Sequence, residues 1–297
     1  MRTRSFLSTA LGLVLAAAAV LAQAPAGPAA GPDHEAIVAA VLDYSDGGYS
    51  GDAARMERAL HPDLNKLSFG RRSPAMGLSA FYSTYSGLIE STRLSTMNLE
   101  PEKRRTEVTV LEASTDVAGV RLRTSQWSDY LLLIKDNGRW RIVDVLWGPG
   151  LDAAAEERAV TGFDAAKERP AAGSAAEDYL GGFLSGDAAR LSKALHPETC
   201  QAVFVVSPKS GAALINRARY SGLLEPVKAG VRLAPEGARE AEVRVLDLMD
   251  GMALAVGQTA RGAVYLQLQL LDGQWKVINA LVRPTQNVLG PPPAMKK

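Results

Sequence analysis

Few residues in this chain have the chemistry to do more than pack. There are three histidines, His34, His61 and His196, and one cysteine, Cys200. They form no metal-ligand constellation, and a lone cysteine excludes an internal disulfide. There is no glycine-rich phosphate loop, and "GLSAF" at 77–81 is not a nucleophile elbow. Neither a metal nor a cofactor is expected. What remains is an indole and a carboxylate two positions apart in "WSDYLLLIK", Trp127 and Asp129, with His61 and Tyr44 upstream. A carboxylate on an apolar strand face is costly to bury. Its pKa rises there, and it can orient a ligand or move a proton. A histidine can serve as acid or base near neutral pH, and an indole can stack on a ligand. Each residue also has a plainer reading. Asp129 could be solvated at a rim or bonded to a backbone N–H. Trp127 and Tyr44 could simply pack, and His61 could close a helix by bonding its last carbonyls.

The elements that would position these residues are written twice. "SGDAARMERALHP" (50–62) returns as "SGDAARLSKALHP" (185–197), an offset of 135 residues. The same offset carries Tyr44 to Tyr179, "YSGL" at 85–88 to 220–223, Tyr130 to Tyr265, and Trp140 to Trp275. No insertion is needed between about residue 43 and residue 147. The chain is a tandem duplication with domains expected at 33–150 and 168–287, joined by a helical linker over 151–167. Two copies of this length are not a solenoid.

Each copy reads as helices followed by strands. In the first, "EAIVAAVLDYSDGGY" is an apolar-striped helix ending at Gly47-Gly48. Asp52 caps a second helix, which His61-Pro62 stops. "GLSAFYSTYSGLIES" reads as a third helix. "TEVTVLEA", "VAGVRLRT", "SDYLLLIK" and "RWRIVDVLW" read as strands, with Asn137-Gly138 as a tight hairpin turn. Helices followed by an antiparallel meander make an α+β domain, with the helices on one face of a curved sheet. In the second copy, "GAVYLQLQL" puts Val264, Leu266, Leu268 and Leu270 on the core side. The offset then places Trp127, Asp129, Leu131 and Leu133 on the core side of the first copy. Tyr130, Leu132 and Ile134 form an apolar stripe on the outer face, which calls for a cover. That cover would be the second copy, as an internal pseudo-dimer, or another subunit. Arg121 and Arg123 are expected on the outer face as solvated charges. Asp144 and Asn279 are expected among inward-looking neighbours.

"YSDGGYSGDAARMERALHP" followed by "WSDYLLLIKDNGRWRIVDVLW" resembles the nuclear-transport-factor-2-like superfamily, and more narrowly its putative lumazine-binding (SnoaL-like) family. The resemblance implies two tandem cone-shaped domains, each with a pocket between the helices and a curved antiparallel sheet. The superfamily includes ketosteroid isomerase, scytalone dehydratase and polyketide cyclases, together with members that only bind or scaffold. Nothing in the sequence specifies a pteridine or flavin.

The ends and the charge narrow the setting. "MRTRSFLSTALGLVLAAAAVLA" has Arg2 and Arg4, an apolar run from Phe6 to Leu21, and small residues up to Ala22. This is the layout of a secretory signal peptide over residues 1–22, and the run is short for a membrane span. A flexible mature N-terminus (23–32) and a disordered tail (288–297) are expected, with a periplasmic or secreted location in a bacterium. Without residues 1–22 the formal charge is −1, from 31 basic and 32 acidic side chains. Such a balance gives no attraction for nucleic acid or an anionic bilayer. The expected function is non-catalytic binding of a small apolar or aromatic molecule, or of a protein partner, through the pocket or a sheet face. Asp129, Trp127, His61 and Tyr44 are the candidate ligand-binding residues. The alternative is a cyclase, isomerase or dehydratase using His61 and Asp129 in the first domain.

Overall fold

The computed structural model of the chain describes residues 33–70, 77–153, 162–207, 209–230 and 240–285. The expected signal peptide, the flexible N-terminus and the tail lie outside them. The first domain opens with α1 (His34–Ser50) and α2 (Ala53–Ala59). Ile37, Val41 and Tyr44 form the buried stripe of α1. Gly47 and Gly48 do not end this helix. A Cβ on Gly47 would lie 3.0 Å from the Met56 backbone nitrogen, so the missing side chain lets α2 pack close. The stop comes at Gly51, whose φ of 70° suits glycine. Asp52 then caps α2 by accepting the Arg55 N–H at 3.1 Å.

Two sequence expectations fail in the next stretch. His61-Pro62 does not close a helix, because α2 has already ended and residues 60–70 run on as β1 (Leu60–Gly70). Pairing of β1 is interrupted between Leu60 and Asn65, and Pro62, which lacks an N–H, sits in that gap. The expected third helix is split into β2 (Ser79–Ser83) and α3 (Tyr85–Arg93). Thr84 makes the break, with its side chain accepting the Gly87 N–H at 3.0 Å. Phe81 and Tyr82 meanwhile pair with Ser68 and Leu67 of β1. The meander follows as β3 (Thr106–Ala113), β4 (Val117–Thr124), β5 (Trp127–Asp136) and β6 (Arg139–Pro149). Asn137 and Gly138 turn the last hairpin with φ of 49° and 76°.

The second domain repeats this order. It consists of α4 (Ala165–Ser185), α5 (Ala188–Ala194), β7 (Leu195–Val206), β8 (Ala213–Arg219) and α6 (Tyr220–Lys228). Then come β9 (Ala241–Met249), β10 (Met252–Thr259), β11 (Gly262–Leu271) and β12 (Gln274–Pro284). The sheets run β2-β1-β6-β5-β4-β3 and β8-β7-β12-β11-β10-β9. In each, the first long strand joins the meander in parallel, β1 on β6 and β7 on β12, and the other pairings are antiparallel. The fold is α+β in two tandem domains, as the sequence indicates.

Both faces of each sheet are covered. Helix-side cores gather Leu131 and Leu133 with Ile37 and Val41, and Leu266 and Leu268 with Ala176 and Leu180. The opposite faces meet each other in one apolar layer, where Tyr130, Leu132 and Ile134 join Phe204, Leu254 and Tyr265. Polar groups cross this layer in pairs. Asn65 donates to Asn279 at 2.8 Å, Asn279 to Gln267 at 2.7 Å, and Gln267 to the Tyr130 carbonyl at 2.7 Å. Arg121, expected as a solvated charge, instead bonds Asp247 at 2.8 Å. Asp144 and Asn279, expected to look inward, face this layer. A register break between Leu132 and Leu133 pairs Asp144 with Leu132, on the outer face. Among the described residues no helix is long and apolar enough to cross a membrane.

Asp144 is fully buried and its charge is met by Arg217 at 2.8 Å. Removing the guanidinium leaves an uncompensated carboxylate between the sheets. Arg217→Met should therefore cost about 3–5 kcal/mol, measured as a loss of unfolding free energy in urea at neutral pH. A change within about 0.5 kcal/mol, the range of ordinary surface substitutions, would mean the ion pair does not hold this interface.

Candidate functional site

The cone of the first domain contains a buried ionic cluster. Asp129 on β5 and Tyr44 on α1 converge on Lys66 from β1, a residue not picked out from the sequence. Lys66 Nζ donates to the Tyr44 hydroxyl at 2.8 Å and to Asp129 Oδ1 at 3.3 Å. Asp129 is 0% exposed, so the solvated-rim reading does not hold. Desolvation by burial raises the Asp129 pKa, and Lys66 and then Tyr44 oppose that rise. The same desolvation pushes the Lys66 ammonium down and the Tyr44 phenol well up. Asp129 Oδ2 has no hydrogen-bond partner. The Trp127 indole favours the Asp129 anion without being aligned for a full hydrogen bond.

Aromatic rings close over this cluster. Trp127 packs on Tyr49 with ring centroids 4.7 Å apart and on Tyr44 at 6.4 Å. Its outer edge approaches within 3.6 Å of where a Cβ on Gly48 would stand. The Trp147 ring lies 5.0 Å from Lys66 Nζ, within cation–π range.

His61 is elsewhere. Leu60 pairs with Ile142, whereas Asp129 pairs with Trp147, so about 15 Å of strand separates the two levels. His61 is buried beside Asp63, Asp136, Arg141 and Arg217, toward the second domain, and desolvation holds its pKa below the usual value. Its Nδ1 accepts the Asp63 N–H at 3.1 Å, as His196 Nδ1 accepts the Glu198 N–H at 3.1 Å. The histidine–carboxylate pair that proton-transfer chemistry would use is not assembled.

The second domain keeps the tyrosine of this cluster and replaces the ion pair and both indoles. At the repeat offset Lys66 becomes Gln201, Asp129 becomes Val264, Trp127 becomes Gly262, Trp147 becomes Val282, and Gly48 becomes Phe183. Tyr179, the counterpart of Tyr44, donates to Gln201 at 2.6 Å. Where the first domain has two indoles, the second has a cavity of ≈ 530 Å³. Leu180, Phe183 and Leu184 of α4 wall it, with Gln201 and Val203 of β7, Val264 of β11 and Val282 of β12. Residues 259–262, the end of β10, the turn and the start of β11, line it too, with Pro284 and Thr285. The size suits a drug-sized molecule. A signal for this was present in the letters. Lys66 and Asp129 lose their charges together at the same offset, which marks them as partners. Among the described residues no group of His, Cys, Asp and Glu could hold a metal ion.

The second domain is thus a double variant of the first domain's ion pair. Lys66→Gln alone strands Asp129 in a low-dielectric site and should cost about 3–5 kcal/mol at neutral pH. Because burial holds the folded Asp129 pKa above its reference value of 3.8, the loss is smallest below that pH. It grows as the pH rises through the folded value. Adding Asp129→Val recreates the Tyr–Gln pair of the second domain and should restore stability to the wild-type level or above. Urea unfolding of the three proteins at acid and neutral pH measures this. A double variant as unstable as Lys66→Gln would contradict it.

The chain matches the protein family described as "Putative lumazine-binding" twice, over residues 32–148 and 167–282. No curated protein matches it significantly. Solved structures similar to it include an NTF2-like protein of unknown function from Silicibacter pomeroyi. That protein shares 15% identity over 39% of this chain and 93% of its own, with a TM-score of 0.33. An NTF2-like protein of unknown function from Shewanella baltica shares 17% identity over 41% and 96%, with a TM-score of 0.32. A ketosteroid isomerase-like protein from Erwinia carotovora atroseptica shares 16% over 40% and 97%, with a TM-score of 0.30. With both repeats matched, the chain belongs to the putative lumazine-binding family, in tandem duplication.

Proposed function

We propose that this is an exported, non-catalytic binding protein that takes up a small, mostly apolar molecule in the cone of its second domain. The observation that carries the reading is the ≈ 530 Å³ cavity between α4 and the β7–β12–β11 face. A space of this kind, walled by Leu, Val and Phe with a few convergent polar groups, is how proteins hold small ligands. The first domain then serves as a partner rather than a second receptor. Its own cone holds Trp127, Trp147 and the Lys66–Asp129 pair in the corresponding positions. The two sheets, packed face to face, form an internal pseudo-dimer that needs no second chain. The cyclase or isomerase alternative would work through Asp129, and in this structure Asp129 is fully buried and tied to Lys66. The signal-peptide layout of residues 1–22 in the sequence supports this reading of export, to a periplasmic or secreted site of action.

Purified protein should release a small apolar compound on denaturation, detected by mass spectrometry. Val282→Trp, which copies the residue at the equivalent position of the first domain, should fold and release none. Retention of the same compound by Val282→Trp would overturn the assignment of the site.

A further inference from the structure

The one amide and the one charged group around this cavity are both donors, and the Thr259 hydroxyl is used within the turn. Gln201 lines it, and the Tyr179 hydroxyl already donates to the Gln201 carbonyl oxygen at 2.6 Å. That leaves the Gln201 NH₂ group, which only donates. Arg261, in the turn between β10 and β11, stands exposed at the mouth. Its backbone N–H is held by the Thr259 hydroxyl at 3.1 Å, which fixes the turn. Among the described residues its guanidinium has no carboxylate partner, and no Asp or Glu lines the cavity. The first domain carries Gln126 and Lys66 where the second carries Arg261 and Gln201. A cation at the open end and a donor farther in, around apolar walls, select against amines and for an acceptor-bearing, negatively charged head.

From this we infer that the ligand is an amphipathic anion, an organic carboxylate with an apolar body. The body fills the space among Leu180, Phe183, Val264 and Val282, and the carboxylate meets Arg261 at the mouth. The Gln201 amide bonds an oxygen of the ligand within. This assignment rests on the cavity reading above and adds the charge of the ligand to it. An unpaired guanidinium at a half-open mouth recognises a carboxylate by charge-assisted hydrogen bonds, with apolar burial supplying most of the affinity.

The test uses the full chain and a neutral fluorescent probe, N-phenyl-naphthylamine, displaced by decanoate, decanol or decylamine. Decanoate should displace the probe at about tenfold lower concentration than decanol, and decylamine should be the weakest, as one charge-assisted contact implies. The preference for decanoate over decanol should narrow toward parity in Arg261→Gln and return in Arg261→Lys. It should also weaken as salt is raised. Equal displacement by all three compounds, or a preference that survives Arg261→Gln, would overturn the anion assignment. The cavity reading would still stand if Val282→Trp abolishes probe binding. A probe that fails to bind, or that binds wild type and Val282→Trp alike, would remove the cavity reading itself.

Discussion

A six-stranded sheet presents two faces to water, and three short helices can cover only one. In this chain the uncovered face of the first sheet carries Tyr130, Leu132 and Ile134, and that of the second carries Phe204, Leu254 and Tyr265. Neither domain can leave such a stripe exposed without inviting association. Packing the two faces together removes both from water at once, and the apolar burial this provides is the main favourable term holding the domains in place. The polar groups caught between the sheets must then find partners there. The Asn65–Asn279–Gln267 chain and the Asp144–Arg217 pair are how they do so.

The pairing also explains why the copies could diverge. A domain that pairs with an identical copy must be complementary to itself, and two linked domains need only be complementary to each other. Gly119 shows the consequence. A Cβ there would lie 2.8 Å from a methyl of Leu254, which is the repeat counterpart of Gly119 itself. One copy supplies the knob and the other the hole. Two leucines would collide at that spot, and two glycines would leave it empty.

Away from the shared face, divergence took the two cones in opposite directions. In the first, a lysine and a carboxylate neutralise each other beneath two indoles, an arrangement that costs desolvation and leaves Asp129 Oδ2 without a partner. In the second, Gln201 and Val264 stand at the positions of the pair, and Gly262 and Val282 at those of the indoles. The counterpart tyrosine, Tyr179, bonds a neutral amide. With neither charge present, none is stranded. With neither indole present, these positions border the cavity that is this domain's candidate binding site.

What the letters determined was everything set by local period and by repetition. The 135-residue offset established two domains, the two-residue period placed Leu131 and Leu133 opposite Tyr130 and Leu132, and Asp52 and Asn137-Gly138 marked a cap and a turn. These features are legible because each depends on neighbours a few positions away. Tertiary structure alone decided the rest. Residues 79–83 became a strand because β1 offered them an edge. Asp144 turned outward because a register break shifted the face, which strict alternation conceals. His61 fell at the wrong level of the sheet to meet Asp129, and Lys66 met it across 63 positions of chain. The cavity of the second domain is a difference between the space enclosed by helices and sheet and the side chains that fill it. No single segment carries that difference, so it appears only when the segments are brought together.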